Sequence, residues 1–242
     1  MKSRFTFAGR SSEEFYLTVE KLPIISAPAK KYSTISVPGR NGDLHIEEKA
    51  FQNYTQPYEC YFHAPDLTAP EVAHAIKGWL MGSRGPQKLR DTYDPSYFHN
   101  ATFLGPIDIE RLLNEYGRCV ISFDCAPQAF LVSGQERKVF TVAGSLHNPT
   151  AFSAQPLITV YGSGAGSVTV GNATVQIKEM VDMLILDCDT QNAYRQLGEG
   201  APENKNRTIY APVFPELTPG DNPVSWNGAV ERVEIVPRWW TL

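Results

Sequence analysis

The stretch Ser167-Val168-Thr169-Val170-Gly171-Asn172-Ala173-Thr174-Val175-Gln176-Ile177 decides the fold class. Two runs, 167–170 and 174–177, alternate along the chain, and Gly171-Asn172 between them is a hairpin signal. A period of two buries one face of a strand and leaves the other in water. The same signature recurs on both sides of this stretch. Residues 156–161 read as a strand, and Gly162-Ser163-Gly164-Ala165-Gly166 reads as a loop between it and the hairpin. Residues 181–186, 228–236 and 238–242 read as further strands, with 212–220 and Asp221-Asn222-Pro223 as turns. Strands at intervals of about 8–12 residues, with turn signals between them and no helical period, point to a β-sandwich.

The preceding half is also strand-rich. Phe5-Thr6-Phe7, residues 15–19 and Ile35-Ser36-Val37 lead to Pro38-Gly39-Arg40-Asn41-Gly42-Asp43. Pro-Gly and Asn-Gly are both turn signals, and Asn41-Gly42 suits a type I′ turn. Leu44, Ile46 and residues 54–62 continue the alternation. Thr68-Ala69-Pro70-Glu71 then forms a capping box, with Pro tolerated in the first turn. Val72, Ala75, Ile76, Trp79 and Leu80 follow at helical spacing and Gly82 offers a stop, so the pattern predicts a helix over 69–81. Its apolar stripe packs on a sheet, which makes Trp79 a core residue. Residues 101–104, 107–112 and 118–125 read as three more strands, and Ala126-Pro127 closes this half. The polar run 133–138 marks the domain boundary. The expected organisation is an N-terminal β domain with one helix over 1–132 and a C-terminal β-sandwich over 133–242.

Composition narrows the function. The 242 residues include 42% hydrophobic side chains, enough for a buried core. No run approaches the ~18 apolar residues of a membrane span, and the opening Met1-Lys2-Ser3-Arg4-Phe5 lacks the apolar centre of a secretory signal. The formal charge is −4, and the dense basic runs, 29–31 and 84–90, are short. Nucleic-acid binders neutralise phosphates with clustered Lys and Arg, so this chain suits a wall beside DNA better than a holder of it. Cys60, Cys119, Cys125 and Cys188 form no Cys-x-x-Cys pair and have no His at a metal-site offset; they read as buried thiols of a reducing compartment.

Chemistry-bearing motifs are weak. The glycine run at 162–166 is followed by an alternating strand, whereas a phosphate loop needs a helix N-terminus there. No Gly-x-Ser-x-Gly elbow or His-Glu-x-x-His occurs, and His45, His63, His74, His99 and His147 are scattered. Asp187-Cys188-Asp189 follows a strand, where Asp commonly opens a turn. Asp108 and Glu110, two apart, read as one solvated strand face rather than a glycoside-cleaving pair. Trp226, Trp239 and Trp240 fall in the C-terminal half, as core residues or as exposed platforms. No catalytic residue, metal ligand or cofactor site is assigned.

Taken in order, several motifs resemble those of the distal tail proteins of siphophages, the tail-tip and baseplate hub ring proteins. They are Phe5-Thr6-Phe7-Ala8-Gly9 with Ser11-Ser12 and Phe15-Tyr16-Leu17, then Val37-Pro38-Gly39-Arg40-Asn41-Gly42-Asp43-Leu44. Trp79-Leu80, Lys88-Leu89 and Asp94-Pro95 follow, and then Phe123-Asp124-Cys125-Ala126-Pro127. The second half adds Asn148-Pro149-Thr150, 154–158, Leu217-Thr218-Pro219-Gly220-Asp221-Asn222 and the closing 235–240. Thr150 stands where the family often has Gly, and there is no long insertion of the kind that carries an extra carbohydrate-binding module.

The resemblance implies a galectin-like C-terminal sandwich and a structural, non-enzymatic protein. Six copies would form a ring through the N-terminal domains, joining the tail tube to the tail-associated adsorption hub and letting DNA pass. The implied partners are the chain itself as a homohexamer, the tail tube protein, the adsorption hub protein and, at the outer face, a receptor-binding protein. Sequence-specific nucleic-acid binding, a membrane and cofactors are not implied. The implied location is the virion tail tip, after assembly in the host cytoplasm. Pro38, Gly39, Arg40, Asn41, Gly42 and Asp43 are the subunit-interface candidates. The five-donor fork of Arg40 either bridges that contact or serves its own domain. Trp226 is the candidate outer-face contact for a partner or a glycan. The competing readings are a carbohydrate-binding sandwich and a cell-wall hydrolase, the latter needing an acid pair or metal cluster.

Overall fold

The structure is a computed structural model that describes residues 3–196, 198 and 200–242. Met1-Lys2, the start of the sequence read above as lacking a secretory signal, lies outside them. The chain divides into two compact units, one ending at Ala129 and the other running Phe130–Thr241.

The first unit contains β1 (Phe5–Phe7), β2 (Arg10–Ser11), β3 (Leu17–Val19), β4 (Lys30–Ile35), β5 (Leu44–Phe51), β6 (Tyr54–His63), α1 (Ala69–Gly82), β7 (Gln87–Asp91), β8 (Tyr97–Thr102), β9 (Ile109–Leu113) and most of β10 (Tyr116–Leu131). One sheet runs in the order β2-β1-β7-β8-β10-β6-β3, with β9 on the flank of β10. Alternation sets its buried face: in β6, Gln56, Tyr58, Cys60 and Phe62 point inward while the residues between them do not.

Helix α1 starts where the capping box placed it. The Glu71 carboxylate accepts from the Thr68 backbone N–H at 2.8 Å and from its hydroxyl at 2.7 Å. Ala69, Val72, Ile76, Trp79 and Leu80 are its buried stripe. The Trp79 ring stacks on Phe15 at 4.3 Å between centroids, and its indole N–H donates to the Phe7 carbonyl at 3.1 Å. Gly82 is helical rather than a left-handed stop; the helix ends because Ser83 turns extended (φ −78, ψ 132).

The second unit contains β11 (Lys138–Phe140), β12 (Gly144–Asn148), β13 (Leu157–Val170), β14 (Ala173–Met180), β15 (Met183–Asp187), β16 (Asn192–Arg195), β17 (Glu203–Asn204), β18 (Ile209–Tyr210), β19 (Gly220–Val236) and β20 (Trp240–Thr241). The order β11-β19-β13-β15-β16-β17 carries β12 on β19, β14 on β13 and β18 on β14. The hairpin that opened the reading is present, with Val170 opposite Ala173 around Gly171-Asn172. Val168, Val170, Val175 and Ile177 are buried in the unit's core. The chain is mainly β with one α-helix among the described residues, as expected.

Several local expectations are corrected. The glycine run 162–166 is strand, not loop: β13 passes straight through it. Here β13 changes neighbour, pairing β15 over 157–161 and β14 over 164–170, with register shifts against β19. Bulged glycines let one long strand bend between partners. A Cβ on Gly162 would lie 2.0 Å from the Ala229 carbonyl oxygen, so only glycine fits. Asn222 and Pro223 are not turn residues, because β19 begins at Gly220. β10 runs through Ala126-Pro127 to Leu131 instead of stopping there. Residues 12–15 form a 3-10 turn, with Tyr16 left-handed (φ 60), because Ser11 and Glu14 make their own capping box. The strand therefore shortens to Leu17–Val19.

Candidate assembly interface

β4 and β5 form a separate two-stranded sheet. Every side chain of β4 is exposed, as are the first six of β5. The register pairs Ile35 with Leu44, Thr34 with His45, Ser33 with Ile46 and Tyr32 with Glu47. Opposed residues share a face, and the face switches at each step along a strand. One face of this arm therefore carries Ile35, Leu44, Ser33 and Ile46. The other carries Tyr32, His45, Thr34 and Glu47, with the Tyr32 and His45 rings edge to face at 6.2 Å. Ion pairing near the base is local: Lys30 Nζ lies 3.1 Å from Glu47 Oε1, and that bond raises the Lys30 pKa.

A two-stranded ribbon with an exposed apolar face has two unpaired edges and no core of its own. The chain leading into it adds to the apolar surface. Leu22, Ile24 and Ile25 are 74%, 67% and 99% exposed. Scattered surface leucines need no explanation, but a contiguous apolar ribbon marks an interaction site.

All six interface candidates, Pro38 to Asp43, sit together at the exposed tip of this arm. The turn there is not the expected type I′. The Arg40 N–H donates to the Val37 carbonyl at 3.1 Å, with Pro38 and Gly39 (φ 81) between them. Proline fixes the first central φ and glycine supplies the positive second one, which is a type II turn. The next left-handed residue is Gly42 (φ 80), while Asn41 is not left-handed. Trp226 lies in the other unit, on β19 opposite Val168, half-buried against that unit's core. Trp239 is buried, and Trp240 stacks on Phe152 at 4.5 Å and donates to the Ser153 carbonyl at 2.9 Å. The amphipathic pairing of the arm escaped the sequence reading, because alternation reports a strand but not whether anything covers it.

The other chemistry-bearing residues are held in structural roles. Asp187 Oδ1 accepts from Arg238 at 2.7 Å. Asp108, one residue before β9, and Glu110, within it, are both exposed and line one surface depression with Glu20, Glu59 and Arg118, as a solvated face would. Among the described residues no group of three or more His, Cys, Asp or Glu is placed to hold a metal ion. The four cysteines are free and buried, and burial pushes the thiols of Cys119, Cys125 and Cys188 up to about 12. Such thiols are unreactive. Two buried asparagines account for the loop motifs of the second unit. Asn148 donates to the carbonyls of Phe152 (2.9 Å) and Leu217 (2.8 Å), and Asn222 donates to those of Thr218 (2.8 Å) and Gly220 (2.9 Å). No helix among the described residues is long and apolar enough to cross a membrane.

No family model matches the chain, and no curated protein does. Among solved structures it is similar to the SPP1 Dit (gp 19.1) protein, described as a paradigm of the hub adsorption apparatus in phages infecting Gram-positive bacteria. The likeness covers 100% of both chains with a TM-score of 0.72, at 9% sequence identity. Over its whole length, then, this chain has the fold of the SPP1 Dit protein.

Proposed function

We propose that this chain is a structural protein of a phage tail tip. In this reading six copies form a ring through the N-terminal domain, residues 1–132. The ring joins the tail tube to the adsorption hub and passes DNA through its centre. Residues 133–242, a galectin-like sandwich, face outward, where receptor-binding or other peripheral proteins attach. The chain acts in the virion tail, after assembly in the host cytoplasm, and works by assembly rather than catalysis.

The observation that carries this reading is the end-to-end likeness to SPP1 Dit, both chains covered completely at a TM-score of 0.72. The arm gives it a physical means. An amphipathic ribbon with an uncovered apolar face is stabilised when a neighbouring copy covers it, and head-to-tail contacts of that kind close into rings. The modest charge of −4 per copy fits a lumen wall that lets DNA slide.

Light scattering on a sizing column, with negative-stain images of the same peak, tests the proposal. The expected particle has six-fold symmetry, an open centre and a mass near six times 26.9 kDa. A chain that stays monomeric both alone and after mixing with its tail tube protein would overturn it.

A further inference from the structure

The second unit holds a groove of about 580 Å3, lined in part by Thr174, Gln176, Tyr210, Val213, Phe214 and Glu216. The sheet edge beside it has an open rung. β14 pairs β13 on one side, and on the other side β18 covers it only at Gln176–Tyr210 and Ile177–Ile209. Two residues further along the same register, Thr174 would meet residue 212, which is Pro212. Proline has no N–H to donate, so the ladder stops and the chain leaves the sheet.

The direction of the Thr174 backbone follows from the hairpin. Val170 and Ala173 close the two-residue turn, so Ala173 aims its N–H and C=O at β13. Alternate residues of an antiparallel strand aim the opposite way, so Thr174, like Gln176, aims both groups outward. The departing chain next pairs at the isolated bridge between Ala154 and Leu217. The groove lies along this detour. Val213 is 67% exposed and Tyr210 57%, and Glu216 is the charged side chain among the lining residues.

We propose that this groove binds an extended peptide segment of a partner protein. The peptide adds the missing rung at Thr174, sets an apolar side chain against Tyr210 and Val213, and places a basic side chain near Glu216. A donor and an acceptor presented together at strand spacing match a peptide backbone, and adjoining pockets select its side chains. Pro212, Val213 and Phe214 give the wall an apolar character that suits an aliphatic side chain better than sugar hydroxyls. That the partner is another tail protein rests on the assembly reading above; the class of ligand does not.

The test uses the isotope-labelled full chain and a blocked hexapeptide alternating valine and lysine, titrated into the millimolar range. The expected result is a saturable shift of the Thr174 and Val213 amide resonances. A peptide alternating valine and glutamate should bind more weakly. Val213→Lys, at an exposed position, removes the apolar wall and repels the lysines, and should weaken binding at least about tenfold. Thr174→Pro should do the same, since it removes only the outward N–H; if that variant fails to fold, Val213→Lys alone decides. No saturable shift, a shift insensitive to Val213→Lys, or saturation of the groove by maltotriose while the peptide stays silent would overturn the proposal. Light scattering on the same samples scores ring formation separately, so failure of one reading is not mistaken for failure of the other.

Discussion

At the residue scale, His99 illustrates how burial turns a side chain into a pH sensor. Its Nδ1 lies 3.2 Å from the Tyr54 hydroxyl, and burial lowers its pKa below the ordinary 6.5, outweighing the opposing pull of Asp91, a backbone bond at Gln128 and Asp94. A histidine with a depressed folded pKa takes up its proton first in the unfolded chain. Its stability contribution is therefore intact above about pH 6.5 and declines as the pH falls below that value. Thermal melts of the wild type and His99→Gln between about pH 7 and 5 should differ in slope, the variant being flatter. Parallel curves would show that His99 does not titrate on unfolding. Gly162 and Gly78 are a second contrast at this scale. Gly162 has φ 148 and a Cβ site 2.0 Å from the Ala229 oxygen. Gly162→Ala should cost about 3 kcal/mol or more. Gly78 is an exposed helical residue with open space around its Cβ site. Gly78→Ala should stabilise by about 0.5–1 kcal/mol. Denaturant midpoints of the two variants should move in opposite directions.

At the scale of the element, the arm stands apart from the packed strands. A buried strand residue is held by its sheet and its core, whereas Ile35, Leu44 and Ile46 are exposed on a ribbon of two strands. Adding charge there removes nothing from the monomer. Ile35→Asp combined with Ile46→Asp should leave the melting transition within about 0.5 kcal/mol of wild type. The same pair should abolish the six-fold particle on a sizing column. Arg40→Glu at the tip should weaken assembly without unfolding the monomer. Unchanged assembly with unchanged melting in both variants would remove the arm from the interface.

Across the whole molecule, the two units keep separate cores, and the cysteines report on each of them. Cys60, Cys119 and Cys125 are buried in the first core, beside Phe62, Ile121 and Phe123, and Cys188 is buried in the second. No disulfide links them, so a reducing agent should leave stability unchanged. Pulsed alkylation along a denaturant series, read by peptide mass, should label the first three thiols together over one transition. Cys188 should follow the unfolding of its own unit. Independent labelling of Cys60 and Cys119, which lie directly opposite each other on β6 and β10, would contradict a cooperative first core.

What the sequence determined by itself was local. Alternation around Gly171-Asn172 defined a hairpin, and Thr68-x-x-Glu71 with its apolar stripe defined the helix to within a residue of its end. These signals act over a few neighbours, so the chain carries them whatever surrounds it. The glycine run 162–166 shows where local reading stops. Five small residues favour a loop on their own, yet pairing with β19 and β14 makes them the bend of one long strand. Asn222-Pro223 likewise reads as a turn until β12 pairs with it. Only the tertiary structure decided that the strands of the arm lack a core while similar strands elsewhere are buried. Exposure depends on what packs against a face, and that is a property of distant residues. The open rung at Thr174 is of the same kind: Pro212 is visible in the sequence, but its place opposite Thr174 exists only once β18 has found its register on β14.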